Sequence, residues 1–470
     1  MSSPSSLLLI LLLNASPVQA QVGAPASYNL ARYQENYRSW ADSSLSDPLD
    51  RLKYIGLGSN PDTYLTLGGD MRQAFEYFRN QAWMNSGSNA YWLQRYRLLA
   101  DLHVASRFRL YTELASSLSV GRNGGPRPID ENQFYLYQAF VDVSLLPNTA
   151  WNPTLRVGRQ ILLLGGTRLI SPVLGVNVQQ AFDGARLLLG GSGSTDAPWK
   201  FTAFALRAVR HELGALDDPV LDDAQQLWGG YYTWSGFQPH LDVYYLGYER
   251  PEAEYFQGPG RELRRTVGVR LFSPRQQAID YDHELMYQGG SYGPGNISAW
   301  AVSLNAGYNW LQAKLKPRLG MRADMITGDR NPNNPDLQTF NPLFLNAVYY
   351  GWPGTFTAAN LSTLASSIRI TLPSQSRVAL NYIAFWRQQQ EDGIYAPGQT
   401  LTIPPLPSDE ESLIADRFIG SQLELIFDLK ISRHIGALIT YNRFITDSFL
   451  EVADRANDRD FVRAHVIYQF

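Results

Sequence analysis

The sequence contains no cysteine, so neither a disulfide framework nor a thiolate metal site can stabilise the fold. Lysine is scarce as well, since only five of the 40 basic residues are Lys and the other 35 are Arg. A large charge of one sign is also absent: the formal net charge is -3, and no nucleic-acid partner is expected. The excess of Arg favours bidentate recognition of carboxylate or phosphate groups, although codon usage in a GC-rich genome explains it equally well on composition alone.

Long apolar runs are almost absent, and the one clear run is near the start of the chain. Leu7 to Leu13 is unbroken, and Pro17 and a small-residue site ending at Ala20 follow it, although residues 1–6 carry no Lys or Arg. Residues 1–20 are therefore predicted to be a secretory signal peptide. No other segment approaches the roughly 20 consecutive apolar residues of a transmembrane helix. That criterion is blind to barrels, whose strands alternate in polarity.

From about residue 61 onward, the chain alternates between apolar and polar positions in segments typical of β-strands. Aromatics make up 13% of the chain and hydrophobic residues 44%, which is ample for burial. In 92–104 the even positions are Trp92, Gln94, Tyr96, Leu98, Ala100, Leu102 and Val104, and the odd positions include Arg95, Arg97, Asp101 and His103. The same split occurs in 65–77, 107–114, 318–325, 377–387 and 422–430. Each segment is predicted to have one apolar and one charged face.

Counting these segments predicts about 18 strands in residues 61–470, with a tolerance of two because 182–189 and 201–210 have mixed faces. The expected fold class is all-β, a transmembrane antiparallel up-and-down barrel. Alternation also fits a secreted β-sandwich or a propeller.

The last segment, 461–470, favours the barrel, because it alternates and ends on Phe470 as the assembly signal of outer-membrane barrels does. Pairing it with the first strand would leave no open edge in lipid. Aromatic residues near strand ends are expected to form interface girdles or ordinary core, namely Trp92, Tyr245, Trp300, Tyr308 and Trp386.

Several short strings, in fixed order, resemble the alginate export family of outer-membrane proteins. They are Arg32-Tyr33-Gln34-Glu35-Asn36, Asp47-Pro48-Leu49, Leu52-Lys53-Tyr54-Ile55, Leu67-Gly68-Gly69-Asp70-Met71-Arg72, Asp130-Glu131-Asn132, Gln138-Ala139-Phe140-Val141-Asp142, Leu155-Arg156-Val157-Gly158-Arg159-Gln160, Phe182-Asp183-Gly184-Ala185-Arg186, Gly328-Asp329-Arg330-Asn331-Pro332, Phe340-Asn341-Pro342-Leu343-Phe344 and Phe385-Trp386-Arg387. The chain departs from the family pattern in its long leader and at Tyr137 and Ile161, where basic residues would be expected.

The resemblance implies a monomeric 18-stranded barrel in the outer membrane of a Gram-negative bacterium. Its lumen would be lined with Arg and Lys, would pass an acidic exopolysaccharide, and would be occluded by loops or turns. The expected partners are the polysaccharide or another anionic solute, outer-membrane lipid and lipopolysaccharide, the barrel assembly machinery and periplasmic secretion components.

Arginines on the polar faces are predicted to line the solute path, because rings of Arg lower the barrier for an anion while nearby acids keep binding weak. They are Arg72, Arg95, Arg97, Arg107, Arg109, Arg264, Arg270, Arg318, Arg322, Arg369, Arg377, Arg387 and Arg463. Arg159 is added on the expectation that Gly158 marks a bulge that turns it inward. The alternative is a purely structural ladder, paired with Asp70, Glu76, Asp101, Glu113, Asp324, Glu424 and Asp428.

Residues 21–60 form a leader in which Tyr33, Tyr37 and Trp40 have roughly helical spacing. A short periplasmic helix, a plug at the barrel mouth or a disordered tail would each fit. Segment 329–336 lacks the central Gly and closing Glu of a calcium loop. With 340–354 it is predicted to fold inward and narrow the pore.

A barrel hydrolase is the competing class. Residues 289–293 match the nucleophile-elbow pattern around Ser291, but Pro294-Gly295-Asn296 follows where a helix is required. No zinc-protease helix, phosphate loop or dinucleotide fingerprint occurs, so no metal or cofactor is expected. His103 and His465 are expected to complete hydrogen-bond networks.

The predicted function is a non-enzymatic outer-membrane channel for an acidic polysaccharide such as alginate, with a general or small-anion porin as the alternative.

Overall fold

The computed structural model describes residues 28–41, 47–147, 149, 151–190, 198–219, 224–274, 277–405 and 417–470. The predicted signal peptide, residues 1–20, lies outside this range. The strands are β1 (Ile55–Gly56), β2 (Tyr64–Arg79), β3 (Ser88–Val104), β4 (Phe108–Val120), β5 (Asn132–Ser144), β6 (Thr154–Gln160), β7 (Phe182–Leu189), β8 (Trp199–Ala208), β9 (Gln226–Trp234), β10 (His240–Tyr255), β11 (Gly258–Phe272), β12 (Ile279–Tyr292), β13 (Gly295–Asn309), β14 (Arg318–Ile326), β15 (Leu361–Thr371), β16 (Arg377–Arg387), β17 (Ile394–Ala396), β18 (Thr400–Ile403), β19 (Phe418–Lys430), β20 (Ile435–Thr446) and β21 (Arg459–Gln469). The α-helices are α1 (Pro48–Arg51) and α2 (Ser448–Val452), and Arg32–Gln34, Arg38–Trp40 and Gln81–Trp83 form 3-10 turns.

The main sheet closes on itself as an antiparallel barrel. It has 19 strands, of which the two-residue β1 pairs only with β2, so that 18 strands form the wall. Closure comes from β21, which pairs with β2 from Asp70 opposite Gln469 to Arg79 opposite Asp460. The predicted strand number and topology are confirmed. A sandwich or an open propeller blade would have left these two strands as edges.

The alternation of the sequence becomes the two faces of the wall. On β3, Trp92 and Leu98 are 51% and 64% exposed on the outer face, whereas Arg95 and Arg97 between them are buried in the lumen. A strand in a lipid bilayer must present apolar side chains outward, and closure leaves only the interior for charge. Of the residues proposed as girdles, Trp92, Tyr245 and Tyr308 are exposed on the outer face.

The mixed segment 182–189 is a genuine wall strand, β7, and its pairing with β6 explains its ambiguous pattern. Gly158 of β6 lies opposite Gly184 of β7. Gly158 has φ 131°, a conformation that side chains rarely adopt, and a Cβ there would lie 2.3 Å from the Ala139 carbonyl oxygen. Glycine is therefore required where β6 passes this close to β5. Because glycine has no side chain, Gly158 and Gly184 interrupt the alternation of polar and apolar residues from which strands are predicted.

The two ends of the barrel differ in the length of their connections. One end carries the long connections 161–181, 209–225, 327–360 and 388–417, and the other carries turns as short as 105–107 and 431–434. Long extracellular loops and short periplasmic turns are typical of outer-membrane barrels, which orients the chain. No helix among the described residues is long and apolar enough to span a bilayer.

Two of the long loops fold into the lumen and meet there. The β6–β7 loop (residues 161–181) and the β14–β15 loop (residues 327–360) are joined by the backbone bonds Ser171 N–H to Phe344 O, 2.9 Å, and Phe344 N–H to Leu169 O, 2.8 Å. Ile170, Phe344 and Leu345 are buried between them. Of the segment predicted to fold inward, residues 340–350 do so, whereas most of 330–336 is exposed. The inward fold of 161–181 was not anticipated, because a loop sequence carries no periodic pattern to read.

The described part of the leader lies at the periplasmic mouth. Tyr33 and Trp40 lie in two separate 3-10 turns, and Tyr37 precedes the second turn. Asp47 caps α1 by accepting from the Leu49 N–H. The chain packs against the inward faces of β2, β4 and β5, because Tyr33 contacts Tyr111 and Phe140.

Candidate functional site

The most concentrated charge in the lumen is a group of four guanidinium groups on β21, β2 and β3, here called the arginine ladder: Arg72, Arg95, Arg97 and Arg463. Pairing brings them together, because Arg72 lies opposite Arg95. The pairing also sets acids beside them: Asp70 lies opposite Arg97, and Glu76 lies opposite Arg463. All four ladder arginines are buried.

Three carboxylates face these four cations. Asp70 Oδ1 is 3.5 Å from Arg95 Nη2, Glu113 Oε1 is 3.8 Å from Arg97 Nη1, and Glu76 binds Arg463. The first two distances exceed that of a strong charge-assisted hydrogen bond. The ladder thus carries one positive charge more than its acids supply.

Neutral oxygens of the β6–β7 loop complete the coordination. Asn177 Oδ1 accepts from Arg72 at 2.7 Å, Gln179 Oε1 accepts from Arg97 at 2.8 Å, and the Gly175 carbonyl accepts from Arg463 at 2.9 Å. Within the described residues, Nε and Nη1 of Arg95 and Nε of Arg72 have no hydrogen-bond partner although they are buried. If the loop withdraws, the guanidinium groups of the ladder can therefore donate hydrogen bonds to the oxygens of an anion.

A second basic region lies on β14, β15 and β16, which β19 and β20 separate from the ladder strand β21. Arg318 pairs with Asp280, and Arg377 pairs with Asp428. Arg322 donates to the Tyr349 carbonyl at 2.9 Å and lies 3.2 Å from Asp324. Arg369 lies opposite Arg318 on the neighbouring strand.

This second region borders open space. A cavity of about 340 Å³ lies beneath the β14–β15 loop. Its lining includes Arg318, Arg322, Asn305, Asn381, Ser367, Glu424, Tyr349 and Trp352. Small polar side chains of the wall leave this space, whereas the loop fills the lumen above it.

Other predicted arginines are buried or half-buried and lie against acids, an amide or an aromatic ring. Arg264 is 0% exposed and donates to Glu262 at 2.6 Å and to Gln288 at 2.8 Å. Arg270 bridges Asp242 and Asp282, and Arg109 is held by Asp101 and Asp142. The Arg387 guanidinium lies 3.8 Å from the centre of the Phe449 ring.

Two of the predicted lining residues are not on the lumenal wall. Arg107 is exposed in the turn between β3 and β4, so strand parity does not apply to it. Arg159 stays on the outer face with Val157, because β6 keeps a regular register past Gly158 and no bulge turns the side chain inward. There it forms a bidentate pair with Asp183, at 2.8 and 2.9 Å.

Sequence reading also missed lumenal arginines. Arg156 binds Asp142 at 2.7 Å. It alternates with Leu155 and Val157 along β6 and therefore faces the lumen, so strand parity could have identified it. Arg186 was hidden by the mixed pattern of β7. Arg168 reaches Asp282 and Glu284 from the β6–β7 loop, where parity gives no signal.

The features that suggested an enzyme do not assemble into a site. Ser291 is exposed on the outer face, next to the two-residue turn that joins β12 to β13. His103 lies 3.2 Å from Asp101 and stacks on Tyr64, and His465 accepts from Arg463. Among the described residues no cluster of three or more His, Asp or Glu could hold a metal ion.

A closed barrel with an apolar outer belt, a charged lumen and inward-folded extracellular loops defines the class of outer-membrane channels. The chain belongs to the alginate export family, whose model, described as "Alginate export", matches residues 63–462. A comparison with curated proteins finds no match.

Solved structures from Pseudomonas aeruginosa share the fold. OccK2 (OpdF) is 14% identical, with a TM-score of 0.56 over 88% of this chain and 99% of that chain. OccK8 (OprE) is 11% identical, with a TM-score of 0.55 over 88% and 99%. OccK11 (OpdR) is 14% identical, with a TM-score of 0.53 over 89% and 99%. At these identities the likeness extends to the fold alone.

Proposed function

We propose that this protein carries anionic solutes across the outer membrane of a Gram-negative bacterium, and that its first candidate solute is an acidic exopolysaccharide such as alginate. The family supports a channel of this kind. The lumen supports a negatively charged solute, because the buried arginines outnumber the acids at the arginine ladder. Arg suits a uronate, since its planar fork accepts a carboxylate bidentately.

One observation carries the proposal furthest: the cavity of about 340 Å³ bordered by Arg318 and Arg322. Cations, amide side chains of Asn305 and Asn381, and the Trp352 and Tyr349 rings line the same space. Cations attract the carboxylates of an acidic sugar, amides bond its hydroxyls, and aromatic faces pack on its ring. Because each Arg also has an acid nearby, binding stays weak enough for release.

The size of the cavity favours a second candidate, a small-anion porin. The two inward loops meet above the cavity, so in this conformation it holds a small solute, whereas a polymer requires the loops to move. Both candidates predict anion selectivity. They differ in whether a uronate polymer threads the channel. Lipid and lipopolysaccharide around the barrel, the barrel assembly machinery and periplasmic secretion components are the partners that this proposal implies.

The test is the reversal potential of purified protein in planar bilayers under a salt gradient. Substituting both Arg318→Gln and Arg322→Gln should lower the anion-to-cation permeability ratio several-fold. Arg107→Gln is the matched control, because that side chain is exposed in a turn outside the lumen, and it should leave the ratio unchanged. A wild-type channel without anion preference would refute the proposal.

Oligouronates of increasing length, added to the same bilayers, separate the two candidates. Current block whose duration grows with chain length supports a polysaccharide path. Selectivity for small anions without such block supports the porin.

A further inference from the structure

The described parts of the leader, residues 28–41 and 47–54, pack at the mouth of the lumen. Its aromatic residues Tyr28, Tyr37, Trp40 and Tyr54 form a small cluster of their own. Arg32 is buried and bonds Glu35 at 2.7 Å, the Gly69 carbonyl at 3.1 Å and the Phe470 carbonyl at 2.9 Å. Contacts with both strands of the β2–β21 seam fix the leader at the periplasmic mouth.

The wall is shaped to receive it. Gly68 points into the lumen beneath the leader, and a Cβ at that position would lie 2.6 Å from Lys53 Nζ and 3.1 Å from Arg32 Nη2. Lys53 is fully buried and donates to the Leu67 carbonyl at 3.1 Å. Any side chain at Gly68 would therefore compete with two leader cations for the same space.

Tyr33 reaches furthest into the lumen and fills a pocket of arginines and aromatic rings. Its ring lies 5.7 Å from that of Phe140, edge to face, and 4.5 Å from the Arg156 guanidinium. Arg109 donates to its carbonyl oxygen, and the Arg186 guanidinium lies against its hydroxyl. A tyrosine is an aromatic ring with a polar end, and the pocket matches both parts.

The end of the leader is paired with the wall: the Leu67 N–H donates to the Leu52 carbonyl at 2.8 Å, and β1 pairs with β2. Between β1 and β2 the chain is exposed at residues 57–61, and Gly58 has φ 100° with open space around it. The part of the leader before Leu52 contacts the rim through polar side chains: Arg433 binds Asp47 and Asp50, and the Tyr28 hydroxyl bonds His434 at 2.9 Å. Burial of Lys53, with Arg32 nearby, lowers the pKa of its amine to about 7 and weakens docking.

We propose that residues 28–41 and 47–54 are a releasable plug, and that the Tyr33 ring occupies the site that an anionic sugar ring would take in the pocket of Arg109, Arg156, Arg186 and Phe140. In the docked state the plug closes the mouth below the arginine ladder, and the β6–β7 loop closes it above. Release would expose the pocket and the ladder to the periplasm together. The ligand class rests on the proposed function, whereas the plug itself does not.

The plug is released from the wall side by Gly68→Leu, which changes no leader residue. Gly289→Leu is the matched control, because a Cβ at Gly289 meets nothing closer than 3.6 Å. In planar bilayers Gly68→Leu should raise the conductance several-fold and Gly289→Leu should not. Trypsin should cleave at Arg38 and Arg51 faster in Gly68→Leu than in the wild type, which verifies release.

A second variant keeps the test decisive if Gly68→Leu fails to fold. Because the chain has no cysteine, Tyr33→Cys with Phe140→Cys can be joined by a short bismaleimide. Cross-linked channels should stay at low conductance, and the same protein before cross-linking should conduct more.

The proposal that the leader is a plug is wrong if trypsin reports release while the conductance stays at the wild-type value. It is also wrong if cross-linking does not change the conductance. The pocket is wrong if released channels show no tighter block by galacturonate oligomers than the wild type. Loss of anion selectivity in every variant would instead refute the proposed function, so the failures are distinguishable.

Discussion

Asn177 should hold the β6–β7 loop closed over the arginine ladder. Its Oδ1 accepts from Arg72 at 2.7 Å, and its Nδ2 donates to the carbonyls of Gln94, Leu118 and Asp130 at 3.0, 3.3 and 2.8 Å. A hydrogen bond to a charged group contributes about 1.5–3 kcal/mol, and each of two good neutral bonds about 0.5–1.5 kcal/mol. Asn177→Ala should therefore cost the closed loop about 3–5 kcal/mol.

A loss of about 3 kcal/mol shifts an open-to-closed equilibrium by more than about a hundredfold. Single-channel recording in planar bilayers should show this as a higher open probability for Asn177→Ala. The control is Asn331→Ala, since Asn331 is exposed in another loop and its side chain accepts only from the Asn333 N–H, at 3.3 Å. If Asn177→Ala folds and its gating equals that of the control, the amide does not hold the loop.

Three further outcomes follow from single residues. Gly158→Ala should destabilise the barrel by about 1–3 kcal/mol, because its φ of 131° and the Ala139 carbonyl leave no room for a Cβ; a lower urea midpoint in detergent checks this. Docking of the leader should strengthen as pH rises from about 7 towards 10.5, up to about tenfold per pH unit, because only the undocked Lys53 binds a proton across that window. Tryptic cleavage of the leader should therefore slow with pH relative to Lys53→Met, and equal pH profiles for the two would contradict it. Asp392→Ala should loosen the β14–β15 loop, because Asp392 accepts from the Thr339 and Tyr395 hydroxyls at 2.6 and 2.7 Å and from the Asp329 N–H at 2.8 Å; proteolysis within 327–360 should accelerate, whereas Asn331→Ala should leave its rate unchanged.

Strand parity was readable from the sequence because a barrel wall has only two environments. Arg95 and Trp92 go to opposite faces for the same reason: one step along a strand turns a side chain from lumen to lipid. Parity failed at Arg107, which lies in a turn. At Arg159 parity was right, and the bulge expected at Gly158 was wrong. Both errors arise where the strand rule needs a boundary or a register that one sequence does not contain.

Strand parity could not predict which of the lumenal arginines border open space. Arg72 and Arg322 both lie on the polar face of their strands, yet Asn177 covers the first and the second borders the cavity of about 340 Å³. The difference is made by loops, whose positions depend on contacts between residues distant in sequence, such as Ile170 with Phe344. Such contacts leave no local period.

Composition alone did not indicate the function of this protein. The excess of Arg over Lys and the near-zero net charge can be interpreted only once the barrel shows that Arg and acids are sorted together into the lumen. By itself the sequence determined the sorting of charge from apolar side chains and an approximate strand number, since both follow from a two-residue period repeated along the chain. Closure was expected from the alternating last segment that ends on Phe470 and from the family resemblance, because the period alone also fits a sandwich. Only the tertiary structure decided that the arginine ladder is covered by one loop, that the described part of the leader lies at the mouth below it, and that the open space borders β14, β15 and β16. Those outcomes depend on how irregular segments fill a closed lumen, which is a matter of packing in three dimensions.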